Sequence, residues 1–418
     1  MARKKDNKGR ILKDNENQMS DGRYRYRWID ASGKRRAIYS WKLVSTDRVP
    51  NGKRDCESLR EKEKAIEADS LQGIDSFTKT TLNDVWEIYF KGKTLKESTK
   101  ENQRYMYDHF VKEKIGNKKI SSFKYSDIKA FYNYLVKDRG LKINTLENVN
   151  TILHPTFTLA VKDGFLRYNP TEGVLNEIKK ANHYEKPKRH ALTIEEQHLF
   201  IEFLKQSEIF GHWLPLFTFL LGTGCRISEV LGLTWNDISL KKNEIYITHN
   251  LIYRRNEHGQ CRFWVTTPKT NSGIRTIPML DEVRHAILEE RKRQIGEGKP
   301  QVVIEGYTDF VFTNQDGRPY MPQSINKAIE RIVKYANEWE LKQAEAEQRE
   351  AIQIRPFSAH NLRHTFCTRF CENETNVKVI QDIMGHADIT TTMNIYAEAS
   401  EDKKKESMNA LQGKIKIG

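Results

Sequence analysis

Four short segments in the C-terminal half of the chain hold side chains suited to handling a phosphate. The first is Gly222-Thr-Gly-Cys-Arg226-Ile-Ser-Glu229. A glycine-containing turn leads into a helix there and puts Arg226 in its first turns, where the planar guanidinium offers a fork for two phosphate oxygens. Glu229, one helical turn on, is placed to orient that fork; alone, the two residues equally read as a surface ion pair. The second is Pro268-Lys269-Thr-Asn-Ser-Gly273-Ile-Arg275. Near a phosphate Lys269 is a charge stabiliser or a general acid; in isolation it is a turn lysine. The third is His360-Asn-Leu-Arg363-His364, with His360 and Arg363 at i and i+3 on one helix face. A histidine gives or takes a proton near neutral pH, and Arg363 binds the same phosphate. The fourth is Gly385-His386, followed ten residues later by Tyr396. Tyrosine forms covalent intermediates, but its high pKa demands a base or a strong positive field. Two arginines, two histidines and a lysine supply such a field. A metal reading of His360, His364 and Cys367 fails for want of a further ligand at finger spacing, and Cys367 and Cys371 read as structural thiols.

The chain that carries these groups has 418 residues, with 70 Lys and Arg against 56 Asp and Glu and a formal net charge of +14. That length is too great for one small domain. The positive excess favours a polyanionic partner, either nucleic acid or an anionic membrane surface. Its 18 Phe, 17 Tyr and 7 Trp argue against wholesale disorder. The longest apolar run, Trp213 to Leu221, is broken by Pro215 and Thr218 and falls short of the roughly 18 residues of a membrane span. The opening MARKKDNKGR has no apolar stretch after its basic residues, so it does not read as a secretory signal. Cys56, Cys225, Cys261, Cys367 and Cys371 are odd in number and lack CxxC spacing, which points to a reducing cytosol rather than a disulfide framework.

Three zones must position the four segments. In the basic first zone, Gly22-Arg-Tyr-Arg-Tyr-Arg-Trp28 alternates strictly. The alternation predicts a strand with Arg23, Arg25 and Arg27 on one face and Tyr24, Tyr26 and Trp28 on the other. Asp30-Ala-Ser-Gly33 reads as a hairpin turn, 35–42 as the return strand with Arg35 and Arg36, and 58–71 as a helix. Like charges on one sheet face repel, and a phosphate backbone relieves that repulsion. Arg23, Arg25, Arg27, Arg35 and Arg36 are therefore candidate DNA contacts, the alternative being a solvated sheet surface. Residues 72–77 read as a linker. Leu82, Val85, Trp86, Tyr89 and Phe90 recur at helical spacing, and further helices are expected over 97–114, 125–139 and 144–163. A second linker covers 179–189. In the third zone Thr193 with Glu196 makes a capping box. Strand-like runs between 245 and 278 predict a small sheet among helices. The polar stretch 338–352 reads as an exposed helix extension.

Taken together, Arg226, Lys269, His360 with Arg363, His386 and Tyr396 resemble the catalytic set of the tyrosine recombinase, or phage-integrase, family. That set is Arg, Lys, His-x-x-Arg, a His or Trp, and a nucleophilic Tyr, in that order. The surrounding TGCRISEVLGLTW, TPKTNSGIRTIP, HNLRHTFCT and IMGHADITTTMNIYAE match as well. Many members place the Tyr nine residues after the His; the ten found here are similar to the branch of integrases from conjugative transposons and related phages. The resemblance covers 190–400, extends to the helical zone, and likens the basic sheet to the arm-binding domain of that branch.

The resemblance implies a multidomain α+β chain: a small β-sheet arm DNA-binding domain over 1–72, an all-α core-binding domain over 78–180, and a mainly α catalytic domain with a small sheet and a C-terminal tail over 188–418. It implies a bacterial, cytoplasmic, nucleoid-associated enzyme that integrates and excises a mobile element through a 3′-phosphotyrosine on Tyr396 and a Holliday junction. Arg226 and Arg363 would clamp the nonbridging oxygens, Lys269 would protonate the leaving 5′-oxygen, His360 would help deprotonate Tyr396, and His386 would bond the phosphate. No ATP, metal or other cofactor is implied. The implied partners are double-stranded DNA attachment sites of core and arm type, three further copies in a homotetramer, and an excisionase or DNA-bending protein, with no membrane. The lysine-rich tail at 403–405 would pack on a neighbouring subunit. Two alternatives are a type IB topoisomerase and a non-catalytic DNA-binding regulator. The basic N-terminal sheet favours recombination over the first, and six filled catalytic positions argue against the second.

Overall fold

The computed structural model describes residues 4–30, 33–71, 74, 79–185, 190–255, 259–268, 270–298 and 300–397. The chain divides into two compact units, Met1–Pro187 and Lys188–Gly418. All four phosphate-handling segments belong to the second.

In the first unit the basic-aromatic alternation produces the expected strand. β1 (Glu16–Gln18), β2 (Tyr24–Ile29) and β3 (Arg35–Ser40) form an antiparallel sheet in that order. β1 was not legible in advance, because Glu-Asn-Gln carries no alternation. Tyr24 and Tyr26 are buried with Leu12, Leu43, Leu59 and Ile66, the last two from helix α1 (Leu59–Leu71). The register pairs Arg25 with Tyr39, Arg27 with Ala37 and Ile29 with Arg35, so Arg25, Arg27 and Arg35 share the face away from the buried tyrosines.

Two arginines of this sheet stand apart from that row. Arg36 pairs with Trp28 on the aromatic face, and its Nε donates to Asp30 at 2.7 Å; a step of one residue along a strand reverses the face. Arg23 stands at the end of the row, beside an acid. Arg23 Nε donates to Asp21 at 2.7 Å, and the guanidinium lies over the rings of Tyr39 and Trp41 at 5.2 and 5.8 Å. Asp21 and Asp30 thus flank the two ends of β2.

Beyond the sheet the first unit is helical: α2 (Leu82–Lys91), α3 (Glu97–Tyr107), α4 (Tyr125–Asn133), α5 (Ile143–Lys162) and α6 (Val174–Ala181). Leu82, Val85, Trp86 and Phe90 are buried as their spacing predicts, and Trp86 stacks on Tyr107 with centroids 4.3 Å apart. α3 and α4 continue as π-helical turns over Asp108–Gly116 and Tyr134–Asp138. α6 was missed, and it takes Lys179 and Lys180 out of the expected linker. Its apolar Val174 and Ile178 are buried one turn apart, but the lysines that follow them carry the composition of a linker.

The second unit opens with α7 (Ile194–Gln206), capped by Thr193 and Glu196 as predicted. It continues through α8 (Leu214–Thr223), α9 (Ile227–Gly232), β4 (Ile238–Ser239), β5 (Glu244–Ile247), β6 (Asn250–Arg255), β7 (Cys261–Thr266), β8 (Arg275–Pro278), α10 (Asp281–Glu297), α11 (Pro322–Glu347), α12 (Ala359–Asn373) and α13 (Val377–Met384). A last helix, α14, is described over 389–397. Phe217, Phe219 and Leu220 of α8 are buried in one core with Phe200, Phe312 and Ile329. The strands expected here form small sheets among the helices. β4, β5 and β8 form one in the order β4-β5-β8, and among the described residues β6 and β7 pair with each other alone. The 338–352 stretch extends α11 as expected and is exposed along most of its length, except that Glu340 and Ala344 are buried and Arg349 returns to bond Glu340 at 3.1 Å. An inward face that itself includes a glutamate escapes a hydrophobic pattern. Among the described residues no helix is long and apolar enough to cross a membrane.

Candidate active site

Two left-handed glycine turns build the site. α8 ends at Gly224 with φ 60°, and α13 ends at Gly385 with φ 63°. The last carbonyls of a helix lack intrahelical partners and carry the negative end of its dipole. Here arginines take them up. Arg363 of α12 donates Nη1 to the Gly224 carbonyl at 2.6 Å and Nη2 to the Met384 carbonyl at 2.6 Å. Arg226, the N-cap of α9, donates Nη2 to the Gly385 carbonyl at 3.0 Å. Glycine is required at both turns by conformation and by space. A Cβ at Gly224 would stand 2.3 Å from the Phe366 ring, and one at Gly385 would stand 2.9 Å from the Ser272 carbonyl.

Glu229 is a buried hub, not half of a surface pair; its side chain is 1% exposed. Its carboxylate accepts from the Arg226 backbone N–H at 2.8 Å and from Arg226 Nη1 at 2.7 Å. Arg275 Nη1 and Nη2 reach it at 3.1 and 2.9 Å. Burial pushes the Glu229 carboxyl up, but the two guanidiniums outweigh it and hold the group below its ordinary value. Three arginines around one carboxylate leave net positive charge. Arg363 registers the strain: burial, then the neighbouring Arg226, bring its guanidinium down to about 10. It remains protonated at neutral pH. Arg226 keeps an open edge, with 38% of its side chain exposed.

His386 follows the Gly385 turn and is buried. Its Nδ1 lies 2.9 Å from Thr392 Oγ1, and Gln381 holds its backbone through bonds of 3.1 and 3.0 Å. Burial, then Arg363 and Arg226, bring its imidazole down to about 4, so it is neutral at pH 7. His360 and Arg363 lie on α12 at the expected spacing but differ in surroundings, His360 being exposed and Arg363 buried. Tyr396, half-buried on α14, packs against the cluster of Cys367, Cys371, Ile380 and Met384. Lys269 lies outside the described residues. The far side of its turn is described, and there Gly273 accepts a bond from Arg275 Nη1 at 3.2 Å.

The structure thus brings Arg226, Arg363 and His386 round one turn of chain, Met384 to His386. Sequence reasoning missed Arg275 and Thr392. The available signal for Arg275 was Glu229 itself, since a buried carboxylate normally gathers more than one donor. Among the described residues no group of three or more His, Cys, Asp or Glu side chains assembles as a metal site. Two fixed guanidiniums beside a neutral imidazole can bind a tetrahedral anion and stabilise charge that grows on its oxygens.

Known proteins share this arrangement of sequence and fold. Residues 191–403 match the phage integrase family, 1–70 match the DNA-binding domain of Tn916 integrase, and 81–136 match the phage integrase N-terminal SAM-like domain. The chain is 35% identical over 416 residues to the transposase from transposon Tn1545 of Streptococcus pneumoniae, spanning 98% of this chain and 96% of that protein. Identity to the transposase from transposon Tn916 of Enterococcus faecalis is also 35% over 416 residues, with the same 98% and 96% coverage. A structure of the Tn1549 transposon integrase in complex with a circular intermediate DNA aligns with a TM-score of 0.67 at 30% identity, covering 79% of this chain and 99% of that one.

Proposed function

The chain belongs to the phage integrase family of tyrosine recombinases, and on that premise we propose that it integrates and excises a conjugative transposon or related element by site-specific recombination. Tyr396 attacks a DNA phosphodiester, the bond from phosphorus to the 5′-oxygen breaks, and a 3′-phosphotyrosine remains. A 5′-hydroxyl from a partner duplex then attacks that phosphotyrosine and releases the tyrosine. The bond energy is conserved in the covalent intermediate, so the exchange needs no ATP.

Arg226 and Arg363 hold the nonbridging oxygens as the pentacoordinate phosphorane gathers charge. His386 is neutral; in the tautomer that carries its proton on Nε2, Nδ1 accepts from Thr392 and Nε2–H donates to a phosphate oxygen. Exposed His360 takes the Tyr396 proton, and Lys269 returns one to the leaving 5′-oxygen. The observation that carries this reading is the convergence of Arg226 and Arg363 on adjacent carbonyls, Met384 and Gly385, immediately before His386.

The same proposal assigns 1–72 to arm DNA sites, 78–180 to core-type sites and 188–418 to cleavage. On the sheet, Arg25, Arg27 and Arg35 are the arm contacts, joined by Arg23 at its end. The enzyme acts in the bacterial cytoplasm at the nucleoid, as a tetramer on double-stranded DNA, with an excisionase or DNA-bending protein as accessory. Incubation with two duplexes bearing the element's ends tests it: four-way junctions and exchanged products are expected. Relaxation of supercoiled DNA without junctions would instead indicate a topoisomerase, and binding without cleavage a regulator.

A further inference from the structure

Arg275 opens β8, its side chain is only 6% exposed, and it has no role in the proposed reaction steps. Its Nε donates to the Ile383 carbonyl at 2.7 Å. Its Nη1 donates to the Gly273 carbonyl at 3.2 Å and to Glu229 Oε1 at 3.1 Å, and its Nη2 to Glu229 Oε2 at 2.9 Å. The acceptors come from three separate segments: the end of α13 just before His386, the turn that closes at Gly273, and α9. A planar fork with fixed donors can hold three such directions at once, whereas an ammonium on a flexible stem cannot.

The charge balance points the same way. With Arg226 as its only partner, Glu229 would aim that guanidinium and also neutralise it. Arg275 engages both oxygens of Glu229, so the carboxylate's charge is answered from behind. Glu229 still fixes the Arg226 fork, while the exposed edge of Arg226 keeps its attraction for an anion.

We propose that Arg275 is a positioning residue for phosphoryl transfer, holding Glu229, and through it Arg226, in the frame that also fixes the approach to His386. The proposal rests on the recombinase reading above. Arg275 touches no reacting atom; its effect passes through Arg226.

Its test is cleavage of a nicked suicide duplex by the full chain carrying Arg275→Gln or Arg275→Lys. With DNA in excess each competent molecule reacts once. The plateau of covalent adduct therefore counts folded protein, and the rate constant reports positioning. A misplaced catalytic group costs about 100-fold in rate, and that loss of rate constant is expected for Arg275→Gln, with plateau and Kd for the duplex both within about threefold of the parent. Arg275→Lys, which keeps the charge and loses the fork, is expected to slow the step by at least about tenfold. In an Arg226→Lys background the further loss from Arg275→Gln shrinks to less than about fivefold, because the two residues act as one unit. Rate constants near that of the parent in both variants, or a loss confined to plateau and Kd, overturn the inference while leaving the recombinase reading in place. Absence of adduct from the parent protein itself overturns the recombinase reading and the inference with it.

Discussion

Arg363 on α12 donates its Nη1 hydrogen to the carbonyl of Gly224, 139 residues earlier in the chain, at 2.6 Å. Its Nη2 reaches Met384 at the same distance of 2.6 Å. One side chain therefore ties the ends of α8 and α13 together at the site. A lysine there keeps a charge but spans only one of the two carbonyls. Arg363→Lys should slow single-turnover DNA cleavage by at least about 100-fold and lower the free energy of unfolding by about 2–4 kcal/mol through an imperfectly partnered buried charge. Adduct formation and urea unfolding measure the two effects; a variant near the parent in both would mean that the fork is dispensable.

Gly385 offers a purely conformational test. With φ at 63° and the Ser272 carbonyl 2.9 Å from where a Cβ would stand, Gly385→Ala must shift the turn that presents His386. A loss of about 1–3 kcal/mol in stability is expected, together with a cleavage defect larger than the unfolded fraction accounts for. Thermal melting alongside the cleavage rate separates the two contributions. Wild-type cleavage would show that the turn tolerates movement.

The depressed His386 pKa fixes the sign of a pH effect. Its ordinary value is 6.5 and its folded value is about 4. Between these limits the unfolded chain binds a proton that the folded chain refuses, so the stability contribution is fully present above about 6.5 and is lost as pH falls toward about 4. The loss attributable to this residue is on the order of 3 kcal/mol. Because carboxylates titrate in the same window, the reading is a difference: the stability advantage of the DNA-free parent over His386→Asn should shrink on acidification from pH 7 to pH 4.5. A pH-independent difference would place the imidazole in a more open, less cationic setting.

The N-terminal sheet separates two arginines that composition alone treats as equals. Arg27 is exposed on the arginine face, whereas Arg36 sits on the aromatic face and is bonded to Asp30 at 2.7 Å. Arg27→Ala should weaken binding to arm-site DNA and reduce the slope of log K against log salt by about 1. Arg36→Ala should instead cost about 1–2 kcal/mol of stability and leave the salt slope unchanged. Titrations at several salt concentrations and denaturation of both variants decide; the reverse pattern would put DNA on the aromatic face.

What the sequence disclosed follows from where the physics is local. The alternation of residues 22–28, the capping pair Thr193 and Glu196, and the spacing of Leu82, Val85, Trp86 and Phe90 each act within one element, and each forms as expected. Arg226, His360, Arg363, His386 and Tyr396 were legible as an ordered set of chemical types. The bracing was not. Arg275 meets Glu229 from 46 residues away and Ile383 from 108, and Thr392 meets His386 through a helix that begins after a turn. Contacts between separate elements leave no periodic trace. The division of the strands between two sheets was hidden for a related reason, because Arg262–Thr266 and Arg275–Pro278 both read as strands and only pairing tells them apart.

In the proposed reaction Tyr396 is the group that takes the DNA strand. A nicked suicide duplex traps that event, because the cut strand diffuses away and the protein remains attached to a 3′-phosphate. The parent protein should form a covalent adduct that survives denaturation and maps by peptide sequencing to Tyr396. Tyr396→Phe, which removes one oxygen and leaves the packing against Met384 and Ile380, should bind the same duplex and form none. Adduct formation by Tyr396→Phe at the parent rate would show that another group takes the strand.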